Sequence, residues 1–142
     1  MIPGLIASAC ALLAATAFGF AWRARNGRVT ATPTAATSAA PDGLTPDDIG
    51  IPLGSRATLV QFSSAFCAPC RATRRILSDV AGMVEGVAHV EIDAESRLDL
   101  VRRLDVRRTP TTFVLGPDGR ISHRASGEPR KADVIAALGV VI

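Results

Sequence analysis

No charged side chain occurs between Ile2 and Trp22, and no acidic residue precedes Arg28 in this chain of 142 residues. A cleaved secretory signal opens with positive side chains, and Met1-Ile2-Pro3-Gly4 offers none, so that reading is set aside. The 21 uncharged residues would, as one helix, cover roughly 30 Å of hydrocarbon. The sequence therefore predicts a transmembrane helix over residues 2–22, with Trp22 at the membrane interface and Arg23, Arg25 and Arg28 directly behind it. Ala7-Ser8-Ala9-Cys10 loosely resembles a lipidation site, but the preceding apolar stretch is short, and Cys10 is read as a small apolar residue within the span.

Histidine and cysteine are also scarce, at two and three residues. A structural zinc site ordinarily takes four ligands. Beyond Cys67 and Cys70 the candidates are Cys10, His89 and His123, none of which forms a second closely spaced pair. No metal site is expected. A Gly-rich phosphate loop, a Ser-His-Asp set and a paired-carboxylate arrangement are likewise missing, which removes phosphate-cradling and triad chemistry from consideration. The formal net charge of +3 equals the charge of Arg23, Arg25 and Arg28, and the remaining basic residues match the 13 acidic ones. The basic pI thus reports a juxtamembrane cluster suited to anionic headgroups, and no nucleic-acid partner is expected. By the positive-inside rule, the arginines put the C-terminal domain in the cytoplasm and make the chain a single-pass protein of the cell membrane. An extracytoplasmic domain is the alternative.

What the chain does contain is Phe66-Cys67-Ala68-Pro69-Cys70, two thiols one helical turn apart, directly after the apolar run Ala57–Phe62. The run reads as a buried strand and residues 68–84 as a helix, so Cys67 falls at the strand-to-helix turn. Unpaired N–H groups and the positive end of the helix dipole favour its thiolate, making it the attacking sulfur. Cys70, expected to be more buried, would resolve the mixed disulfide. Pro69 suits the first helical turn, where its missing N–H costs little.

The rest divides into a spacer over residues 23–44, flexible from Val29 to about Pro41, and a domain over residues 45–142. Thr45-Pro46-Asp47-Asp48 reads as a capped start of a short helix. Val87–Ile92 reads as a strand, Asp93–Leu104 as a helix, Thr111–Leu115 and Arg120–Ala125 as a hairpin around Gly116-Pro117-Asp118-Gly119, and Arg130–Leu138 as a final helix using Val134, Ile135 and Leu138. Arg71, Arg74 and Arg75 read as solvated, and His123 and Arg124 as surface residues of the hairpin.

The stretch from about Ala57 to Ala137, with Cys67-Ala68-Pro69-Cys70 and Arg108-Thr109-Pro110-Thr111 as its most specific parts, resembles the thioredoxin family. The resemblance implies an α/β thioredoxin-like fold, a central mixed sheet flanked by helices. It also implies thiol–disulfide oxidoreductase activity at Cys67 and Cys70, with the dithiol as the only redox group and no separate cofactor. Pro110 would be cis, with Thr109 offering its backbone to a substrate strand, Phe66 shielding the apolar side, and Arg108, where the family has glycine, favouring acidic partner segments. Gln61 stands where the family has a buried proton-transferring aspartate, and His89 where it has the accompanying lysine. Ser63 and Phe66 replace family tryptophans. Expected partners are protein disulfides and an electron donor such as a thioredoxin reductase or a membrane thiol carrier. A reductase is favoured because no histidine lies between the cysteines. The alternatives are an extracytoplasmic reductase of secreted or apocytochrome thiols and a non-catalytic binding module.

Overall fold

The computed structural model describes residues 2–32 and 43–142 and, within the first helix, the side chains of residues 6–22 and 24. The chain opens with α1 (Ile2–Arg25), followed by β1 (Val29–Ala31), α2 (Pro46–Ile49), β2 (Ala57–Ser63), α3 (Ala68–Met83), β3 (Val87–Asp93), α4 (Leu98–Arg103), β4 (Thr111–Leu115), β5 (Ile121–Ser126) and α5 (Lys131–Val141).

One five-stranded sheet in the order β1-β5-β4-β2-β3 carries the domain. The β2–β3 pair is parallel and the others antiparallel, giving the mixed sheet expected from the sequence. Every residue of β2 is buried, because this strand runs through the sheet with a neighbour on each side and helices on both faces. Its side chains alternate between two cores. Val60 and Phe62 pack with Phe113, Leu115, Ile49 of α2 and Leu100 of α4. Ala57 and Leu59 pack on the other face with Leu77 and Val80 of α3 and Val134 and Leu138 of α5. Phe62 and Phe113 meet edge to face at 5.8 Å between ring centroids. Burying each such ring contributes roughly 1.5–3 kcal/mol.

Local chemistry sets the ends of these elements. The Thr45 hydroxyl accepts from the Asp48 backbone N–H while the Asp48 carboxylate accepts from the Thr45 N–H, closing a capping box with Pro46 in the first turn. Gly86, with φ +81°, makes the left-handed turn that returns α3 into β3.

Several expectations need correction. The spacer predicted from Val29 begins instead with β1, whose Val29, Thr30 and Ala31 pair with Ala125, Arg124 and His123 of β5. Val29 and Thr30 favour a strand, but three residues are too few to show an alternating pattern; the open edge of β5 organises them. The remainder of that stretch, residues 33–42, lies outside the described residues. The helix predicted from Asp93 begins at Leu98, because the Asp93 carboxylate accepts from the Glu95 N–H and its carbonyl from the Ser96 hydroxyl, forming a turn first. Leu98 is consequently exposed, and on α5 Ala137 replaces Ile135 on the sheet-facing side.

The helix predicted over residues 2–22 is present within α1. Among the described residues, however, no helix is long and apolar enough to cross a membrane.

Candidate functional site

Cys67 and Cys70 are joined as a disulfide, with their Cα atoms 5.3 Å apart. Cys67 is the N-cap residue of α3, in extended conformation, and Pro69 occupies the first turn. The Cys70 N–H donates to the Cys67 carbonyl at 3.2 Å, so the helix begins inside the motif. Cys67 is half-buried, whereas Cys70 is 2% exposed. Position and burial therefore divide the two sulfurs as the sequence predicts: the outer one lies at a helix N-terminus of 16 residues, the inner one beneath it. Once the protein is reduced, alkylation near neutral pH should modify Cys67 first; faster labelling of Cys70, read by peptide mass, would reverse the roles.

The Thr109–Pro110 peptide bond is cis. Pro110 and Thr109 share a groove of about 750 Å³ with Pro69, Ile76, Arg108 and the 127–130 loop. Trp22 and Asn26, from the end of α1 and the turn after it, complete the wall. The Thr109 hydroxyl lies 2.8 Å from that of Ser64, and the Thr111 hydroxyl donates to the Arg108 carbonyl at 2.7 Å. Arg108 is not a free guanidinium over the groove. It donates to the Asn26 side-chain oxygen and to the Ser126 carbonyl, both at 2.9 Å. Gly27, at φ +76°, keeps this turn in place: its N–H donates to the Ser126 carbonyl, and an added Cβ would collide with the Glu128 carbonyl oxygen. Phe66 is fully exposed with φ +61°, a backbone conformation uncommon for a bulky residue and one that turns the ring outward from the strand-to-helix bend.

Beneath the disulfide, Gln61 is fully buried. Its amide nitrogen donates to the Cys70 carbonyl at 2.9 Å and to the Ser63 hydroxyl at 2.8 Å, and it sits 3.5 Å from a carboxylate oxygen of Glu91. The Ser63 hydroxyl donates to that same oxygen at 2.6 Å. Arg74 closes the chain from α3, its Nε 2.7 Å from the other Glu91 oxygen. The sequence reading missed Ser63 and Glu91 as site residues; Arg74 is exposed, as expected, but its guanidinium is paired with Glu91. The signal available was the parallel register of β2 and β3, which sets Gln61 against Glu91.

His89 lies outside this network. Its Nδ1 is 3.3 Å from the Ser78 hydroxyl, and its buried Nε2 has no hydrogen-bond partner among the described residues. Burial pushes its pKa below the ordinary histidine value, with Glu91 opposing and Arg74 reinforcing the shift. Arg124, expected at the surface, instead stacks over Phe113 at 5.2 Å and donates to the Leu104 and Asp105 carbonyls. No group of His, Cys, Asp and Glu that could hold a metal occurs among the described residues.

A disulfide at a helix N-terminus, split into an accessible and a buried sulfur, with a cis-proline groove that Pro69 from between the two cysteines helps to line, defines a thioredoxin-type oxidoreductase fold with a redox-active cysteine pair. The thioredoxin family model matches residues 51–139, and the chain belongs to that family. It is 25% identical over 72 residues to thioredoxin H5 of Oryza sativa subsp. japonica and 29% identical over 74 residues to a thioredoxin of Ophiophagus hannah. These alignments cover 51% and 52% of this chain, and 53% and 70% of the relatives. The chain thus spans about half the length of the rice protein. Its fold is similar to that of a thioredoxin from Nicotiana alata, with a TM-score of 0.54 and 21% identity over 61% of this chain and 74% of that one.

Proposed function

We propose that this chain is a membrane-anchored thiol–disulfide oxidoreductase that acts as a reductase of protein disulfides. The observation that carries the chemistry is the unequal burial of Cys67 and Cys70, with Pro69 between them lining the Thr109–Pro110 groove. Reduced Cys67 attacks a partner's disulfide, forming a Cys67–partner bond and releasing the partner's other sulfur as a thiolate. Cys70 then attacks Cys67, the Cys67–partner bond breaks, and the Cys67–Cys70 disulfide forms with the partner reduced. A thioredoxin reductase or a membrane thiol carrier would return the two electrons. The sequence Ala68-Pro69 between the cysteines supports the reducing direction, since no histidine is there to stabilise the Cys67 thiolate.

Support for the anchor comes from α1, whose Ile6, Leu12, Leu13, Phe18 and Phe20 are all exposed and distributed around the helix. A helix apolar on every side fits hydrocarbon better than water. Arg23, Arg25 and Arg28, following an uncharged stretch, support a cytoplasmic domain.

Two experiments test the proposal. The full chain should accelerate the reduction of insulin by dithiothreitol, and an insulin rate equal to the background would remove the reductase reading. Reporter fusions at the C-terminus test location: a reporter active only in the cytoplasm should work and one active only after export should be silent. The reverse pattern would place the domain outside the cytoplasm.

A further inference from the structure

Arg108 lines two cavities. One is the groove that holds Thr109 and Pro110; the other, of about 380 Å³, is lined by Arg28, Thr30, Arg108, Arg124 and Ser126. Among the described residues no carboxylate lines this second pocket, whose side chains are all guanidinium or hydroxyl. The register of β1 on β5 brings four of them together. Thr30 pairs with Arg124, Arg28 lies two positions before Thr30 and Ser126 two after Arg124, so strand alternation puts all four on one side of the sheet. Arg108 joins them from the loop ahead of β4 through its bond to the Ser126 carbonyl.

We propose that the pocket of Arg28, Arg108 and Arg124 is a subsite for an acidic side chain of the partner, so that this chain prefers disulfides whose flanking segment carries glutamate or aspartate. Two of the three cations are fixed before anything binds. Arg124 is held over the Phe113 ring and donates to the Leu104 and Asp105 carbonyls, while Arg108 donates to the Asn26 side-chain oxygen and the Ser126 carbonyl. All of these acceptors are neutral, so they hold the guanidinium groups without cancelling their charge. A guanidinium has five N–H donors, and each of the two therefore keeps others for a ligand. Asp105, the acid whose charge reaches Arg124, is taken up by Arg107 through both carboxylate oxygens at 3.0 Å. Arg28 is exposed and has no hydrogen bond or ion pair among the described residues.

Charge and continuity identify the occupant. A carboxylate accepts paired N–H donors from a guanidinium, and three such groups with two hydroxyls beside them offer it partners on several sides. Because Arg108 lines both cavities, a partner segment lying along the groove past Pro69 and Pro110 meets the pocket as a continuation of the same surface. The groove itself mixes charges, with Glu128 beside Arg130, so selectivity for an acid belongs to the pocket. A basic side chain arriving there is repelled, which adds discrimination to attraction.

This inference rests on the dithiol reading above, and the two are separable in one experiment. The reduced full chain with Cys10→Ser, in neutral detergent micelles, is mixed in stopped flow with an excess of a short cysteine peptide capped as its mixed disulfide with 5-thio-2-nitrobenzoate. The coloured thiolate leaves when Cys67 attacks the peptide sulfur. Two peptides are compared, with glutamates or with glutamines on both sides of the cysteine, and each rate is divided by that of the same peptide with dithiothreitol. The glutamate peptide should react on the order of tenfold faster than the glutamine peptide, the low end of what a hydrogen bond to a charged group contributes. That ratio should shrink as salt rises. Arg28→Gln should bring the ratio close to one. Arg120→Gln makes the same charge change at an exposed arginine ahead of β5, at the end of that strand away from Ser126, and should keep it. Failure of the parent chain to release coloured thiolate from either peptide would sink the dithiol reading itself. Equal rates for the two peptides would overturn the subsite, and so would a ratio that survives Arg28→Gln. An equal loss in Arg120→Gln would also overturn it, by making the effect one of net charge.

Discussion

Replacing Cys67 by serine should reduce insulin turnover by the full chain to the background rate, while Cys70→Ser should retain the first attack and lose turnover. The asymmetry follows from where α3 begins. Cys67 caps the helix and is only half-buried, so its sulfur is both reachable and favoured as a thiolate. A serine hydroxyl there has neither the acidity nor the sulfur chemistry to open a disulfide. Cys70 is almost fully buried and meets only what Cys67 delivers. Circular dichroism on the reduced proteins checks that both variants remain folded. Residual insulin turnover by Cys67→Ser would mean that Cys70 can begin the exchange, and the division of roles would fall.

Gln61→Asp should change rate and stability in opposite directions. The amide is buried, donates to the Cys70 carbonyl and to Ser63, and has a buried Oε1 with no hydrogen-bond partner among the described residues. A carboxylate at this position loses those donated bonds and brings a charge into a buried site, so we expect destabilisation of roughly 1–3 kcal/mol. Burial raises the folded-state pKa of such an acid above its unfolded value. The variant is therefore least penalised at low pH and loses stability relative to the parent as pH rises through that raised pKa. It also puts a proton acceptor beneath Cys70, and the resolving step should quicken on the order of a hundredfold, the low end of what a positioned acid–base group contributes. Urea unfolding at two pH values and stopped-flow release of coloured thiolate from 5,5′-dithiobis(2-nitrobenzoate), with Cys10→Ser in both chains so that only Cys67 and Cys70 react, read the two effects separately. If neither the unfolding midpoint nor the rate–pH profile moves, Gln61 does not serve the buried half of the site.

Much of this site was legible in the sequence because its parts are local. The apolar run Ala57–Phe62, the Cys67–Cys70 spacing and Pro69 together fix a strand, a turn and a helix start, and the structure has β2 and α3 beginning where these signals fall. The capping signals at Thr45 to Asp48 acted the same way. What the sequence concealed depends on residues brought together by the sheet. Glu91 and Gln61 are thirty positions apart and meet only because β2 and β3 run parallel in one register. Arg74 looks solvated on a helical wheel until β3 supplies Glu91 beside it. β1 has no strand pattern of its own, and Asn26, in the turn just before it, reaches Arg108 across 82 positions of sequence. Arg108 was expected to face incoming acidic segments; two neutral oxygens instead hold its guanidinium at the groove wall, where it can bind only with the groups they leave free.

Trapping in living cells tests the exchange reaction most directly. A full-length Cys70→Ser chain keeps the attacking sulfur and lacks the resolving one, so each productive encounter should end as a disulfide between Cys67 and a cysteine of the partner. After rapid acid quenching and alkylation, non-reducing gels should show discrete higher-mass species that collapse to the free chain on reduction, with Cys67 as the linked residue by mass spectrometry. The same species should be absent from Cys67→Ser/Cys70→Ser cells. Adducts that persist in that double variant, or that join through Cys10, would contradict disulfide exchange at the Cys67–Cys70 pair.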